Sequence, residues 1–261
     1  MHPRPRLISP TPGLRKARGL LPPRKQPVRR AAPSRKVVGQ QDSFWVIDFT
    51  NWPFSYEYYQ ITATLRIIGQ HCYVYVEDGV VIDPWVSYES ADELLQDIAD
   101  TFDFKETELP NWGDWDPWGS KQTTTTSGNI YNRDREAFGS EWNPGIDGDD
   151  RITILIYDIP SPVDTECGQL GVGGFFNESD EQLQADLPAG EKSNEREMIY
   201  VNKLLCEMLD FLDPTLFYVL AHEFQHMIQW NYDPDEELWI NEGIALQSAE
   251  ICFACVQNES S

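Results

Sequence analysis

The five residues from His222 to His226, with the sequence His-Glu-Phe-Gln-His, constrain this chain more than any other feature. In an α-helix, residues four apart lie on one face, about 6 Å apart along the axis. Two histidines at this spacing with a glutamate after the first are typical of a zinc-binding helix in which the glutamate acts as a general base. We therefore predict a helix on which His222 and His226 bind zinc and Glu223 faces the open side of the ion.

The residues around this motif predict the helix and a second one after it. Asp213 is a suitable N-cap and Pro214 suits the first helical position. Apolar residues recur at helical spacing, namely Leu216, Phe217, Leu220, Phe224 and Met227 or Ile228. The helix should end near residues 231–234, because a proline at 234 disfavours helix in the residue before it. A second helix is predicted to begin in the acidic stretch 235–237, which places Glu242 about two turns along it.

The third ligand is predicted to be a carboxylate. The chain has four histidines and none follows His226, and a metzincin-type site would need glycine and histidine where Gln229 and Tyr232 stand. Glu242 is the best-placed carboxylate. The alternatives are Glu236, Glu237 and Glu250. Three protein ligands and one open position are typical of a catalytic zinc site rather than a structural one.

Taken together, the segments 222–226 and 238–245 resemble the zinc site of the gluzincin metallopeptidases, the thermolysin-like and aminopeptidase-like enzymes whose third ligand is a glutamate in an Asn-Glu-Gly or Asn-Glu-Ala segment. Three longer segments are similar to those of hyicolysin-like secreted bacterial peptidases, namely 148–155, 193–202 and 220–228. The resemblance spans roughly residues 42–250. It implies a secreted zinc endopeptidase that acts on proteins or peptides, with His222, His226 and Glu242 as metal ligands and Glu223 as the catalytic base.

Two departures from the gluzincin pattern keep a second interpretation open. The aspartate or serine that often follows the third ligand by four residues is here Leu246, and the chain ends 19 residues after Glu242, where gluzincins continue into a helical subdomain. We therefore expect a truncated or minimal version of the catalytic domain. The alternative is a non-catalytic zinc-stabilised binding module or an inactive truncated peptidase. The aminopeptidase signature Gly-x-Met-Glu-Asn is absent, which favours an endopeptidase.

Charge divides the chain into two regions. Residues 1–41 hold eleven of the twenty Lys and Arg residues and no Asp or Glu, whereas residues 42–261 hold nine basic and forty-three acidic residues, a balance of −34. The first region is also rich in proline, and we predict that it is disordered or a residual propeptide, with a nucleic-acid-binding arm less favoured beside so acidic a body. Residues 42–261 are predicted to be the catalytic domain. No signal peptide and no membrane-spanning stretch is visible in the sequence, so secretion is expected from the resemblance alone.

The distribution of β-branched and aromatic residues predicts an α+β fold. The predicted strands are Ser43–Phe49, Gln60–Ile68, His71–Val76, Arg151–Asp158 and Glu197–Val201, with Gly171–Phe176 as a candidate edge strand, and further helices are predicted at Ser90–Phe102 and Lys203–Phe211. Because Arg151–Asp158 is almost continuously apolar, it is the candidate central strand. We expect a mixed β-sheet lobe followed by C-terminal catalytic helices that carry the histidine motif and the downstream glutamate.

Several other residues are weaker candidates for a function. The acidic turn Asp147–Asp150 is a candidate calcium site, although it lacks the alternating ligands of an EF-hand loop. His71 is predicted to be a half-buried structural histidine. Three tryptophans in a predicted loop, Trp112, Trp115 and Trp118, are expected to anchor that loop rather than to form a binding surface. Cys252 and Cys255 are predicted to be small apolar residues of the last helix or a disulfide bridge.

Overall fold

The computed structural model describes residues 6–8, 35–84, 88–103, 129–162, 169–208 and 215–253. Its elements in chain order are β1 (Arg6–Ile8), β2 (Gln41–Asp48), β3 (Glu57–Ile68), β4 (Cys72–Glu77), α1 (Ala91–Asp103), α2 (Ile130–Phe138), β5 (Ile152–Tyr157), β6 (Gln169–Val172), β7 (Gly174–Phe176), β8 (Met198–Asn202), α3 (Lys203–Met208), α4 (Thr215–Tyr232) and α5 (Leu238–Phe253). Two short 3₁₀ helices, Glu178–Glu181 and Gln184–Asp186, lie between β7 and β8. The protein has a mixed α+β fold, as the sequence predicts.

Six of the strands form one curled mixed sheet in the order β2-β3-β4-β5-β8-β7. The first three strands are antiparallel to one another, and β4, β5 and β8 are parallel. Strand β7 lies at the edge and pairs antiparallel with β8, with Phe175 opposite Tyr200. The short strands β1 and β6 form a separate parallel pair.

Each face of the sheet packs against its own hydrophobic core. Alternate residues of a strand point to opposite faces, so Ile154 and Ile156 of β5 face the helices while Leu155 and Tyr157 face the inside of the curl. The core on the helix side includes Phe224 of α4 and Phe102 of α1, whose rings make an edge-to-face contact. The candidate ligands lie on α4 and α5, so this core determines where they sit relative to the sheet.

Several carboxylates at the margin of the sheet accept hydrogen bonds from tyrosine hydroxyls. Tyr75 donates a hydrogen bond to Asp42, at 2.7 Å, and Tyr200 donates one to Asp180 at the same distance. The hydroxyl of Tyr73 likewise donates to Asp149. Each bond gives a carboxylate at the margin of the sheet a hydrogen-bond donor, and Asp42 and Asp149 also pair with the basic residues Lys36 and Arg151.

Most of the predicted elements are confirmed with small shifts at their ends. The central position of the apolar strand is confirmed, since β5 is the fourth of six strands and all six of its residues are buried. Gly171–Phe176 is not one strand: the chain leaves one sheet at Val172 and enters the other at Gly174. Only its second half, β7, lies at the edge of the large sheet.

The start of the last helix differs from the prediction. Residues 233–237 are not helical and contain a turn at 234–235; the Asp233 side chain accepts a hydrogen bond from the backbone N–H of Asp235, and the Glu236 side chain accepts one from that of Glu237. Helix α5 therefore begins at Leu238, and Glu242 is its fifth residue rather than two turns along. Helix α2 was not predicted, although Asn129 caps it by accepting a hydrogen bond from the N–H of Asn132.

Some predictions fall outside the described residues. These concern His2, most of the basic segment 1–41, Trp112, Trp115, Trp118, Cys167, Asp213, Pro214 and Cys255. The division into a disordered segment 1–41 and a catalytic domain 42–261 therefore remains a prediction.

Candidate metal centre

Helix α4 carries the histidine motif with its apolar face turned into the core. Leu220, Phe224 and Met227 are completely buried, and they fix the rotation of the helix about its axis. This rotation leaves His222 at the margin of the buried face, with 12% of its side chain exposed, and encloses His226 at 1%. The histidine pair is thus accessible from the side of His222.

Helix α5 packs against α4 through small and polar residues. Its buried positions, Asn241, Ala245, Ser248, Ala249 and Cys252, recur at intervals of three and four. Small side chains at these positions allow the two helix backbones to approach closely. Glu242 is adjacent to this buried face and is one-third exposed, so its carboxylate lies beside the two imidazoles.

Three candidate ligand atoms converge between the two helices. His222 Nε2 lies 3.1 Å from His226 Nε2, and the carboxylate oxygens of Glu242 lie 3.2 Å from His226 Nε2 and 3.7 Å from His222 Nε2. One ligand atom from each residue lies within 4.8 Å of the others. Within the described part of the chain, this is the only group of three or more such residues with metal-ligand spacing.

Both histidines are oriented by hydrogen bonds from the other side of the ring. His226 Nδ1 lies 2.6 Å from Oδ1 of Asn241, which makes Nδ1 the protonated nitrogen. His222 hydrogen-bonds the backbone of Ala245, and because this bond favours the charged imidazole, the acceptor is the carbonyl oxygen. Orientation of this kind is common among metal-binding histidines.

The two Nε2 atoms lie close together between the helices. If each imidazole donates through its other nitrogen, two lone pairs meet at 3.1 Å. Burial and the neighbouring His226 hold the pKa of His222 well below its usual value, which keeps His222 neutral. Burial alone would lower the pKa of His226, but the carboxylates of Glu242 and Glu223 outweigh it and the pKa is raised.

The distances fit a tetrahedral cation. With zinc-to-ligand bonds of about 2.0–2.1 Å, tetrahedral geometry places the ligand atoms roughly 3.3–3.4 Å apart. The three observed separations, 3.1, 3.2 and 3.7 Å, bracket this value. Glu242 Oε1 is enclosed and makes no hydrogen bond to any described group. Two imidazoles and a carboxylate are also a donor set that zinc accepts, so the residues fit the ion.

Glu223 connects the metal centre to the edge of the sheet. It is buried, and its Oε2 accepts a hydrogen bond of 3.0 Å from the backbone N–H of Phe176 in β7. Gly174 of the same strand lies against α4, because a Cβ there would stand 2.5 Å from Val219 Cγ1 and 2.7 Å from the carbonyl oxygen of Tyr200. A backbone N–H therefore helps to fix the position of the Glu223 carboxylate.

A second polar cluster lies behind the metal centre. Ser248 Oγ is 2.8 Å from both carboxylate oxygens of Asp134 in α2 and 2.9 Å from the carbonyl oxygen of Ala221, the residue before His222. Cys252 Sγ also contacts Asp134, at 3.4 Å. Burial raises the pKa of Asp134 to about 7, although the hydrogen bonds from Ser248 and Cys252 oppose this rise. The cluster joins α2, α4 and α5 directly behind the first histidine.

The other residues considered for a role at the site lie outside this group of ligands. His71 stacks on Tyr131 with ring centroids 4.0 Å apart, and burial lowers its pKa, as expected for a structural histidine. The hydroxyl of Tyr232 accepts a hydrogen bond from the backbone N–H of Ser140. The carboxylate alternatives to Glu242 lie outside the cluster, namely Glu236, Glu237 and Glu250.

The candidate calcium turn gains no support from the described residues. Asp147 Oδ1 accepts a hydrogen bond from the N–H of Asp149, and Asp149 Oδ1 accepts one from that of Arg151. These bonds shape the turn before β5, and no metal-spaced group of the described residues includes it. Calcium binding there remains an untested prediction.

Sequence reasoning missed the residues that orient the site. Asn241 could have been found, because it precedes the third ligand in the Asn-Glu-Gly segment. The carbonyl of Ala245 and the N–H of Phe176 carry no signal in the sequence, since every residue except proline offers both groups. Comparison of the chain with protein-family models finds no match, and neither does comparison with curated proteins. None of the described helices is long and apolar enough to cross a membrane.

Proposed function

We propose that this protein is a zinc-dependent endopeptidase that hydrolyses peptide bonds in proteins or peptides. The observation that carries the proposal is the convergence of His222 Nε2, His226 Nε2 and the Glu242 carboxylate next to Glu223. A structural zinc site would supply a fourth protein ligand. The group of described residues contains only three, and Glu242 is one-third exposed, which leaves one side accessible to a substrate.

The roles follow from the contacts of each side chain. His222 and His226 would hold the ion through Nε2, and Glu242 would hold it through its carboxylate. Zinc in such a site supplies Lewis acidity, which polarises a carbonyl group and brings the pKa of water down to about 7. Asn241 and the carbonyl of Ala245 keep the imidazole rings in orientation, so little reorganisation is needed when the ion binds.

Glu223 is the residue that moves the proton. Its carboxylate takes a proton from the attacking water and delivers it to the nitrogen of the leaving amine. The hydrogen bond from Phe176 fixes Oε2, and this limits the rotation of the carboxylate during both transfers. The choice of a peptide bond as substrate, and of secretion as destination, is supported by the resemblance of segments 148–155, 193–202 and 220–228 to hyicolysin-like peptidases.

The test is hydrolysis of fluorogenic casein by the zinc-loaded protein, run beside the variant Glu223→Gln. This variant keeps the shape and the hydrogen bond to Phe176 but cannot accept the proton. We expect kcat to fall by about 10²–10⁴-fold, the usual contribution of a general base, with one zinc still bound per chain. Glu250→Gln, an exposed glutamate on α5, is the matched control and should retain the wild-type rate.

Two outcomes would contradict the proposal. Undiminished hydrolysis by Glu223→Gln would remove this residue as the base. A folded protein that binds one zinc and cleaves neither casein nor peptide libraries would favour the zinc-stabilised binding module or inactive peptidase.

A further inference from the structure

The exposed surface around Glu242 is the starting point for a further inference. Neighbours on the surface of a helix are three and four positions apart. On α5 the neighbours of Glu242 are Leu238, Trp239, Ala245 and Leu246. Ala245 is buried, whereas the other three are exposed by 47%, 74% and 60% in chain order. These three exposed residues, here called the apolar patch, therefore flank the third candidate ligand on both sides.

The apolar patch has the character and the location of a binding surface. Among the described residues nine large apolar side chains are exposed, and three of them form this patch. Adjacent exposed apolar side chains are typical of a binding site, and tryptophan is enriched where binding energy is concentrated. His222, the more exposed histidine, hydrogen-bonds the backbone of Ala245, the residue before Leu246. A molecule that presents a carbonyl group to the accessible side of the metal centre would therefore contact the patch.

The charge around the apolar patch has one sign. Residues 204–261 contain eleven Asp and Glu and no Lys or Arg. In the segment directly before Leu238, the side chains of Asp233, Asp235 and Glu237 are exposed. A surface of one sign attracts ligands of the opposite sign over about one Debye length. The ligand that this surface favours is thus apolar at its centre and basic on its flanks.

The length of the apolar patch matches a short stretch of peptide. Leu238 and Leu246 are eight positions apart, which is about 12 Å along a helix axis. An extended peptide rises about 3.3 Å per residue, so about four of its residues cover this distance. Basic residues next to these four reach the acidic segment 233–237 at one end of the patch. The indole of Trp239 also suits such a ligand, because the face of an indole binds Lys and Arg as well as apolar groups.

We propose that the substrates of this site are cationic peptides in which a bulky apolar residue lies between basic ones, and that Trp239 and Leu246 select them. The inference rests on the proposed peptidase function for hydrolysis, whereas the binding preference does not depend on it. The apolar residue of the substrate packs on the patch beside Glu242, and its basic residues supply the long-range attraction. Acidic peptides are repelled by the same surface.

The experiment compares three quenched fluorescent peptides of equal length as substrates of the zinc-loaded full chain. The first has a Leu-Phe centre between lysines, the second has the same centre between glutamates, and the third has an Ala-Ala centre between lysines. We expect kcat/KM for the first peptide to exceed that for each of the others by at least about tenfold. Salt at about 1 M shortens the Debye length to about 3 Å, so it should reduce the preference for lysine and keep the preference for Leu-Phe.

Two variants test the apolar patch directly. Trp239→Ala and Leu246→Ser should each lower kcat/KM for the first peptide by at least about tenfold, with little change for the Ala-Ala peptide or in bound zinc. Both side chains are exposed, so their replacement leaves the core intact. The matched control is Phe54→Ala, which removes an apolar side chain that is 94% exposed between β2 and β3. This control should change none of these values.

Binding is measured separately on Glu223→Gln, which lacks the proposed base. Its affinities for the three peptides, measured by fluorescence anisotropy, should follow the same order and should become more similar when Trp239→Ala is added. Equal affinities, together with equal rates of hydrolysis by the wild type, would overturn the inference and leave the peptidase function standing. Selective binding by a protein that hydrolyses none of the peptides would support the binding preference and contradict the proposed function.

A second copy of the chain is the alternative occupant of the apolar patch. A dimer in analytical ultracentrifugation that Trp239→Ala dissociates, with no preference among the three peptides, would assign the patch to self-association and overturn the inference. A monomer with the expected order of peptides would support it.

Discussion

Two polar clusters involve the helices α4 and α5, the candidate metal centre and the group around Asp134 and Ser248. They differ in how their buried polar groups are neutralised. At the candidate metal centre, the Nε2 atoms of His222 and His226 lie 3.1 Å apart, with the carboxylate of Glu242 beside them. Behind it, Asp134 is buried and forms no ion pair with a basic residue in the described part of the chain, and its pKa rises to about 7. Under the proposed function, a cation would complete the first cluster, whereas the raised pKa of Asp134 favours a proton in the second.

The geometry around Ser248 supports this contrast. Its hydroxyl has one hydrogen but lies within 2.9 Å of three acceptor oxygens, two on Asp134 and one on Ala221. If Asp134 is protonated, it can donate to Ser248, which then donates to the carbonyl of Ala221. Burying a second charged group, the Asp134 carboxylate, behind the metal centre would cost several kcal/mol of desolvation. A protonated, neutral Asp134 avoids this cost.

The largest effect is expected from removing a candidate ligand of the metal centre. Glu242→Ala removes the only anionic ligand and leaves two neutral imidazoles. Zinc affinity should fall by more than the 10–100-fold typical of losing an orienting partner. Isothermal titration against a competing chelator measures it, with Glu250→Ala as the exposed control on the same helix. Zinc affinity unchanged from wild type would exclude Glu242 as a ligand.

The proton side is tested by Asp134→Asn. In the wild type, the raised pKa of Asp134 means that the folded state holds a proton that the unfolded state loses above pH 3.8. Its contribution to stability therefore falls as pH rises from about 4 to about 7. The amide of Asp134→Asn does not titrate, so the variant lacks this pH dependence. The difference in free energy of unfolding, variant minus wild type, should therefore be about 2–3 kcal/mol more positive at pH 8 than at pH 5.

Urea denaturation at the two pH values provides this measurement. Asp235→Asn, an exposed aspartate before α5, is the control and should show no such difference. A stability change in Asp134→Asn that is the same at both pH values would mean that Asp134 does not take up a proton on folding.

A smaller effect is expected from the hydrogen bond that orients the second histidine. Asn241→Ala leaves His226 Nδ1 without its acceptor, and zinc affinity should fall by about 10–100-fold. Asn241→Asp restores an acceptor and should recover most of the loss. Leu246→Ala, at an exposed position of the same helix, should leave the affinity unchanged. Equal affinities for all three variants would show that the orientation of His226 does not depend on Asn241.

The smallest effect is expected in the pH dependence of zinc affinity. Zinc requires neutral imidazoles, and of the two histidines only His226 has a raised pKa. As pH falls below the pKa of His226, zinc affinity should decline about tenfold per pH unit, with one proton released for each ion bound. A steeper slope, with two protons released, would mean that His222 is also charged before the ion binds.

Much of this arrangement could be predicted from the sequence. The almost continuous apolar run in Arg151–Asp158 predicted the central strand, and the spacing of Leu216, Leu220 and Phe224 predicted the histidine helix, because both signals are local in the sequence. The grouping of Glu242 with the histidines was also predicted, from the absence of a later histidine and from the resemblance of segment 238–245 to the gluzincin site. These features depend on residues close together along the chain.

The rest depended on contacts between distant residues. Asp134 is 114 residues from Ser248, and nothing in the sequence around either one indicates that they meet. The split of Gly171–Phe176 between two sheets likewise depends on which strands lie beside it. The hydrogen bond between His222 and the backbone of Ala245 could not be predicted, because every residue carries such backbone groups.

Gly174 shows how closely the two layers of the molecule are matched. A Cβ atom at this position would lie 2.5 Å from Val219 Cγ1 and 3.8 Å from the Cγ of Glu223. The close approach of β7 to the helix that carries Glu223 therefore requires glycine, whose side chain is a hydrogen atom. Any larger residue at this position would act as a wedge, moving β7 and α4 apart and carrying the N–H of Phe176 out of reach of the carboxylate it holds.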